Sequence, residues 1–335
     1  MKNMYQKNLL EWYQENKREL EFRKNRNPYY IWISEIMAQQ TRIEAMIPYF
    51  KRFVSTLPTM KDLAECEEDV LKKLWQGLGY YSRCKNLQRC ARVCMEKYDG
   101  KLPNNKRELM GLPGIGPYTA GAIASICFDE KVSAIDGNVI RVFSRLYDIQ
   151  EDVTKSKTKK QIEELVNQSL YEPVSEYNQA IMELGAMICI PKNPRCALCP
   201  IRKDCRTKEP AKLPVYPEKK KRKIEKKTFY VLVSKEGMHL KKRGESGLLA
   251  GLYGFEETCP KDYIEKIPLE PYVHIFSHVE WHMDGYLVFV KSGKDFYSIE
   301  DIKENYALPS AFMPFFNQSV NLLSKKAKSY DKIGN

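Results

Sequence analysis

Residues Leu112–Ala120 read LPGIGPYTA, and eighteen residues after Tyr118 stands Asp136, inside Val132–Val142, VSAIDGNVIRV. Gly114 and Gly116 permit a tight turn with positive φ and the close approach of another backbone. Pro117 suits the first turn of a helix, and Ala120, Gly121, Ala122 and Ala124 let that helix pack closely. With the helical KRELMG (Lys106–Gly111) before it, the stretch predicts a helix–hairpin–helix over about 105–128. Backbone N–H groups exposed at such a helix start form a phosphate site. An ordinary helical corner would carry the same two glycines, so the hairpin by itself does not fix a function. Asp136, taken alone, reads as the N-cap of the helix that follows.

Working outward, Trp32–Arg42 reads WISEIMAQQTR. Glu35 sits between Ile33 and Ile36, with Gln39 and Gln40 one turn on. A carboxylate in apolar surroundings has its pKa raised and can serve as a general acid near neutral pH. The plainer alternative is a surface glutamate near a helix end. All four histidines (His239, His274, His278 and His282) lie in the C-terminal third, so acid–base work in the N-terminal part falls to carboxylates.

Apolar residues Ile36, Ile43, Ile47 and Phe50 recur at the helical period and predict a helix between Glu35 and Phe53. Asp62–Trp75 and Asn86–Tyr98 follow the same pattern. Beyond about residue 207 the pattern changes. Thr228–Ser234 (TFYVLVS), Tyr272–Ser277 and Gly285–Lys291 (GYLVFVK) are β-branched and aromatic, bounded by turn residues, and predict strands. A last amphipathic helix is expected over Ser310–Lys325. The expected fold is multidomain: an all-α domain over 1–209, a basic linker over 210–227, and a smaller α+β domain over 228–335.

A chain of 335 residues is long enough for two domains. With 43% hydrophobic and 29% charged residues it is neither disordered nor of low complexity. No stretch approaches the roughly 20 apolar residues of a membrane span, and Met1–Leu20 lacks the apolar core of a secretory signal. A soluble, cytoplasmic protein is expected. Its 55 Lys and Arg against 43 Asp and Glu leave a net charge of +12. Half of that excess lies in Lys212–Lys227 (KLPVYPEKKKRKIEKK), which holds eight basic and two acidic residues. Such a run is a solvated linker or a contact for a polyanion.

Of ten cysteines, Cys189, Cys196, Cys199 and Cys205 fall within seventeen residues, spaced C-x6-C-x2-C-x5-C. Four thiolates on one compact loop can close around a soft metal centre, zinc or iron–sulfur; thiolate count alone does not separate the two. Pro191, Pro194 and Pro200 favour a fixed loop over a continued helix. No redox substrate site accompanies the loop, so a structural role is expected.

Taken together, SEIMAQQTR, LWQGLGYYSR (Leu74–Arg83), LPGIGPYTA and IDGNVIRV resemble the helix-hairpin-helix, Gly/Pro-rich-loop, Asp superfamily of DNA glycosylases, and within it the MutY family. The resemblance runs from about Leu9 to Cys205 and continues more weakly through GLLAGLYGFEE (Gly247–Glu257) and FSHVEW (Phe276–Trp281). It implies a monofunctional glycosylase that removes adenine mispaired with 8-oxoguanine or guanine from double-stranded DNA, acting as a monomer. By the same resemblance the cysteine loop (189–205) holds a [4Fe–4S] cluster, and the C-terminal domain is a Nudix-like lesion-recognition module. Glu35 corresponds to the family's general acid and Asp136 to the aspartate that stabilises the sugar cation. Asn138 and Tyr118 correspond to residues that orient the site. The resemblance further implies DNA or lesion contacts by Arg18, Arg23, Gln40, Thr41, Tyr80, Gly114, Gly116, Phe276, Ser277 and His278. Among these, Gln40 inserts into the duplex and Tyr80 wedges beside the oxidised base.

Tyr118 stands where endonuclease III-like relatives carry a lysine, and a phenol forms no Schiff base. Little or no strand cleavage is therefore expected. Three positions depart from the family pattern: Glu21-Phe22-Arg23 replaces Pro-Trp-Arg, Ala38 replaces a leucine, and Tyr253 stands where Trp is commoner. The C-terminal domain also lacks a Nudix hydrolase box. Two rival readings are an endonuclease III-like or mismatch-thymine glycosylase of the same fold, and a non-catalytic iron–sulfur DNA-binding protein.

Overall fold

The computed structural model describes residues 4–218 and 221–331. Residues 1–3 of the N-terminal stretch, and Lys219 and Lys220 of the basic run, lie outside the described residues. The N-terminal part carries helices α1 (Met4–Asn16), α2 (Pro28–Ala38), α3 (Ile43–Thr56), α4 (Met60–Glu65), α5 (Glu68–Trp75), α6 (Ser82–Lys97), α7 (Lys106–Leu109), α8 (Pro117–Phe128), α9 (Gly137–Leu146), α10 (Ser156–Ser169) and α11 (Val174–Met187). The C-terminal part carries strands β1 (Lys223–Ser234), β2 (Gly237–His239), β3 (Lys241–Lys242), β4 (Tyr253–Gly254), β5 (Glu265–Ile275), β6 (Val279–Phe289) and β7 (Phe296–Tyr297), followed by α12 (Ile299–Asn305) and α13 (Met313–Asp331). None of the described helices is long and apolar enough to cross a membrane.

By its internal contacts the chain divides into two compact units, Met1–Glu65 with Lys85–Glu218, and Cys66–Cys84 with Lys219–Asn335. The division differs from the one drawn by composition. The stretch Cys66–Cys84, helical in pattern, groups with the C-terminal sheet. The helix expected across Glu35–Phe53 is broken after Ala38, because Gln40 adopts φ +60°, a left-handed conformation that cannot continue an α-helix. Asp62–Trp75 likewise forms two helices, parted at Cys66 and Glu67.

The supposed linker is tied at both ends. Leu213 is buried and its carbonyl accepts from Arg145 Nε at 2.9 Å. The Val215 carbonyl accepts from the Val153 amide at 3.1 Å. At the far end Lys223–Lys227 is already strand β1.

The helical unit closes around α11, most of whose residues are buried. Leu9 and Tyr13 of α1, Val142 and Phe143 of α9, and Tyr177, Ile181 and Leu184 of α11 share one apolar cluster. The C-terminal unit is a mixed sheet in the order β5-β6-β1-β2-β7, with β1 and β6 parallel and the other neighbours antiparallel. The buried residues of β1 alternate (Phe229, Val231, Val233), as a sheet with one covered face requires. Phe312, Phe315 and Phe316 cover that face beside Trp281.

Candidate active site

Helix α2 starts on Asn27, whose side chain accepts the Tyr29 amide at 2.9 Å, with Pro28 at its first position. Its residues from Ile31 to Met37 are all buried, and Glu35 is only 4% exposed. Desolvation therefore raises the Glu35 carboxyl above its ordinary value. The Arg23 guanidinium and a hydrogen bond donated by the Tyr118 hydroxyl pull it back down, and the neighbouring Asp136 pushes it up again.

Asp136 is the N-cap of α9, as its position implies, and Oδ1 accepts the Val139 amide at 2.8 Å. The same carboxylate faces the cleft. Oδ2 accepts from Asn138 Nδ2 at 2.7 Å. Burial raises its pKa, opposed by the Val139 amide and Asn138. Asn138 is fixed in turn: its Oδ1 accepts from Arg141 Nη2 at 2.7 Å, and Arg141 also donates to the carbonyls of Gly185 and Cys189, each at 2.7 Å. Gly185 has no room for a side chain, since a Cβ there would lie 2.5 Å from the Asn138 Cβ.

These groups line one cleft of about 810 Å³, together with Arg18, Arg23, Gln39, Gln40, Thr41 and Glu183. Sequence reasoning missed Glu183. It is 1% exposed and holds two arginines: Arg18 Nε at 2.8 Å, Arg18 Nη2 at 3.0 Å and Arg23 Nη1 at 3.2 Å. The signal that singles out Glu35, one carboxylate in an apolar helix, is present here too, in Ile181-Met182-Glu183-Leu184. Arg23 Nε is buried without a protein acceptor. The cleft thus offers a carboxyl whose proton affinity is raised by burial, a carboxylate with both oxygens held, and a buried donor left over. That set suits the protonation of a leaving group beside a developing cation.

Residues 33–168 match the family model described as HhH-GPD superfamily base excision DNA repair protein. The chain is 35% identical over 308 residues to the adenine DNA glycosylase of Buchnera aphidicola subsp. Schizaphis graminum (strain Sg), covering 86% of this chain and 88% of that protein. It is 34% identical over 324 residues to the adenine DNA glycosylase of Schizosaccharomyces pombe (strain 972 / ATCC 24843), covering 75% and 70%. The chain belongs to the adenine DNA glycosylase family of the HhH-GPD superfamily. Against the human adenine DNA glycosylase the match is 40% over 212 residues, 60% of this chain and 39% of that protein. Among solved structures, a thermostable thymine-DNA glycosylase is similar with a TM-score of 0.56 and 25% identity, covering 61% of this chain and 94% of that one. An endonuclease III–DNA complex shares the fold, at a TM-score of 0.52 and 24% identity over 62% of this chain and 95% of that one. The family match over residues 33–168 takes in much of the helical unit together with Cys66–Cys84.

Other site residues named from the sequence lie outside this cleft. In the hairpin Gly114 has φ +76°, and a Cβ there would sit 2.7 Å from the Asn86 Cβ. Gly116 differs from the expectation. It caps α8 with extended backbone, φ −89°, and no atom lies within 4 Å of a Cβ added there. Its space is open for a phosphate at the helix start. Tyr80 is 50% exposed with φ +46°. Phe276 packs edge-on against Trp281 at 5.0 Å. Ser277 and His278 are exposed in the turn between β5 and β6, with the Ser277 Oγ and His278 Nδ1 3.2 Å apart.

None of the four loop cysteines is in a disulfide. Among the described residues no three His, Cys, Asp or Glu side chains form a group set to hold a metal ion. The four sulfurs nevertheless share one neighbourhood beside a cation, a donor set that suits a thiolate-held centre. Burial pushes the Cys199 thiol up to about 11, with Cys189, Cys205 and Cys196 near enough to add to the rise. Arg145, 1% exposed, brings a cation to the loop: Nη1 donates to Cys189 Sγ at 3.3 Å and to the Ile190 carbonyl at 2.9 Å, and Nη2 to the Pro191 carbonyl at 2.7 Å.

Proposed function

We propose that this chain removes adenine mispaired with 8-oxoguanine or guanine in duplex DNA, as a cytoplasmic, DNA-associated monomer that leaves the strand uncut. The observation that carries the reading is the pairing of buried Glu35 with Asp136 in one cleft, with a tyrosine rather than a lysine between them. Adenine leaves the stack to reach these groups, at a cost of a few kcal/mol that is lower at a mispair. Glu35 gives its proton to N7, so that the electron pair of the breaking C1′–N9 bond is accommodated in a neutral base. Asp136 stands beside the cationic sugar left behind, and water adds at C1′ and releases a proton. Tyr118 and Asn138 hold the two carboxyl groups in place. Glu183 holds Arg18 and Arg23 at the base pocket, where the unpaired Arg23 Nε suits a ring nitrogen. Gln40, Thr41, Gly114 and Gly116 meet the duplex. Tyr80, Phe276, Ser277 and His278 serve the opposite base from the Nudix-like unit.

Cys189, Cys196, Cys199 and Cys205 would hold the [4Fe–4S] cluster. Bound there, the cluster supplies a covalent cross-brace to the loop. Arg145 and Arg141 fix the same loop from the protein side.

Single-turnover excision on duplexes carrying A opposite 8-oxoguanine, A opposite guanine and T opposite guanine tests the reading, with and without hot alkali. Breaks that appear only after alkali, strongest opposite 8-oxoguanine, are expected. Asp136→Asn should bind the same duplex yet lose at least about 10³ in rate. Excision of thymine instead, or an unimpaired Asp136→Asn, would sink it.

A further inference from the structure

The segment Cys66–Cys84 interrupts the helical unit in sequence but belongs to the C-terminal unit in structure. Helix α5 sends a row of polar side chains into that unit's backbone. The Lys72 side chain is 7% exposed; its Nζ pairs with Glu68 at 2.7 Å and donates to the Gly251 carbonyl at 2.7 Å. Lys73 Nζ donates to the Tyr306 carbonyl at 3.0 Å, and Gln76 Nε2 to the Leu308 carbonyl at 2.8 Å. Asp69 accepts from the Tyr253 hydroxyl and from Lys242, each at 3.0 Å. Tyr253, a departure from the family pattern, thus has a defined partner. An ammonium as buried as that of Lys72 persists only where a counter-charge and hydrogen bonds offset its lost hydration.

The other end of the segment is a tip bearing Tyr80. Gly77, Gly79 and Tyr80 have φ +102°, +67° and +46°, so three of four consecutive residues are left-handed. An unstrained tyrosine avoids that region, and its occupation marks a conformation imposed by the surroundings. Trp75, the fully buried last residue of α5, donates Nε1 to the Gly79 carbonyl at 3.0 Å. Arg83 Nη2 donates to the Leu78 carbonyl at 2.9 Å, and its guanidinium lies 5.2 Å from the Trp75 ring and 5.8 Å from the Tyr80 ring. Whatever sets α5 therefore sets Tyr80.

We infer that Lys72, assisted by Asp69 and Gln76, is a positioning residue for recognition of the base opposite the excised one, locking the Tyr80 tip to the unit that carries Ser277 and His278. The inference rests on the function proposed above. Lesion reading is then exerted by one body rather than by two independent contacts. In this reading Lys72 acts through α5 and Trp75.

The test is single-turnover excision of adenine opposite 8-oxoguanine and opposite guanine by wild-type protein, Lys72→Met, Tyr80→Ala and the double variant. Lys72→Met should lower the preference for 8-oxoguanine by about tenfold and change the rate opposite guanine by less than about twofold, with no further loss in the double variant. Lys72→Arg, which keeps a cation and donors, should recover part of the preference. Asp69→Asn, at a partly exposed position, should lower it less and in the same direction, which guards against a fold defect at the buried lysine. Equal losses on both duplexes, or losses that add to those of Tyr80→Ala, would overturn the inference. A wild-type protein indifferent to the opposite base would instead fail the proposed function. In that event hydrogen exchange decides the mechanical claim separately: amides of 77–81 and 244–254 should lose protection together in Lys72→Met, and independent behaviour overturns it.

Discussion

The cleft around Glu35 and the exposed tips at Tyr80 and Ser277-His278 are built in opposite ways. In the cleft the reactive groups are buried and every carboxylate is tied. Glu35 takes the Tyr118 hydroxyl, Asp136 takes Val139 and Asn138, and Glu183 takes two arginines. At the tips the side chains are exposed, and what is fixed is the backbone beneath them, by a left-handed tyrosine or a hairpin turn. Chemistry that depends on a shifted proton affinity needs a dry, pre-arranged interior. Recognition of a base within a duplex needs a rigid feature that stands out from the surface. The two regions should therefore respond to different perturbations.

The largest effect should come from the interior. Glu35→Gln is expected to lower excision by roughly 10²–10⁴ while leaving DNA affinity unchanged, measured by single turnover and by titration of a labelled duplex. In wild-type protein the rate should fall as pH rises through the raised Glu35 value, since only the protonated acid is useful. Stability follows the same group. Because its folded pKa lies above the unfolded one, Glu35 opposes folding increasingly as pH climbs from the ordinary glutamate value to the folded one, and folding is favoured again as pH falls. Denaturant unfolding of Glu35→Gln should show a flatter pH dependence over that window. A steeper one would contradict the burial argument.

A smaller change is expected at a tip. Ser277→Ala should reduce the preference for 8-oxoguanine over guanine by about 5- to 10-fold, the worth of one polar contact, with the rate opposite guanine and its pH profile untouched. A shifted pH profile would break the separation between the two regions. The smallest effect on rate should come from salt. Raising it from about 50 to 200 mM should weaken binding strongly, through contacts of the hairpin and basic residues with phosphate. The single-turnover rate at saturating enzyme should stay within about twofold.

The interior was more legible in the sequence than the tips. Glu35 stood out as a lone glutamate among isoleucines, whereas Asp136 alone reads as a helix cap and takes a catalytic role only through the motifs around it; the hairpin was visible in the spacing of Gly114, Gly116 and Pro117. Glu183 carries the same mark as Glu35, but no motif surrounds it. The break after Ala38 was hidden, since residues on either side kept the helical period while one backbone angle at Gln40 ended the helix. The allegiance of α5 was hidden for a different reason. Its amphipathic pattern records that one face is covered, but periodicity carries no label saying which part of the chain covers it. The strand over Lys223–Lys227 was disguised by charge, because the start of β1 is largely exposed and tolerates lysine.

The second unit consists of two separate stretches of polypeptide, Cys66–Cys84 and Lys219–Asn335, and no single cut of the chain frees it. Cutting at 218 leaves Lys72, Gln76 and Asp69 facing solvent where Gly251, Leu308 and Tyr253 had been. The shortened protein is then a helical unit carrying an orphaned limb, and its behaviour does not report the helical unit alone. For the same reason an exchange of C-terminal parts between relatives needs both stretches to travel together. A substitution in one of them is free to spread only as far as its counterpart, more than 150 residues away along the chain, allows.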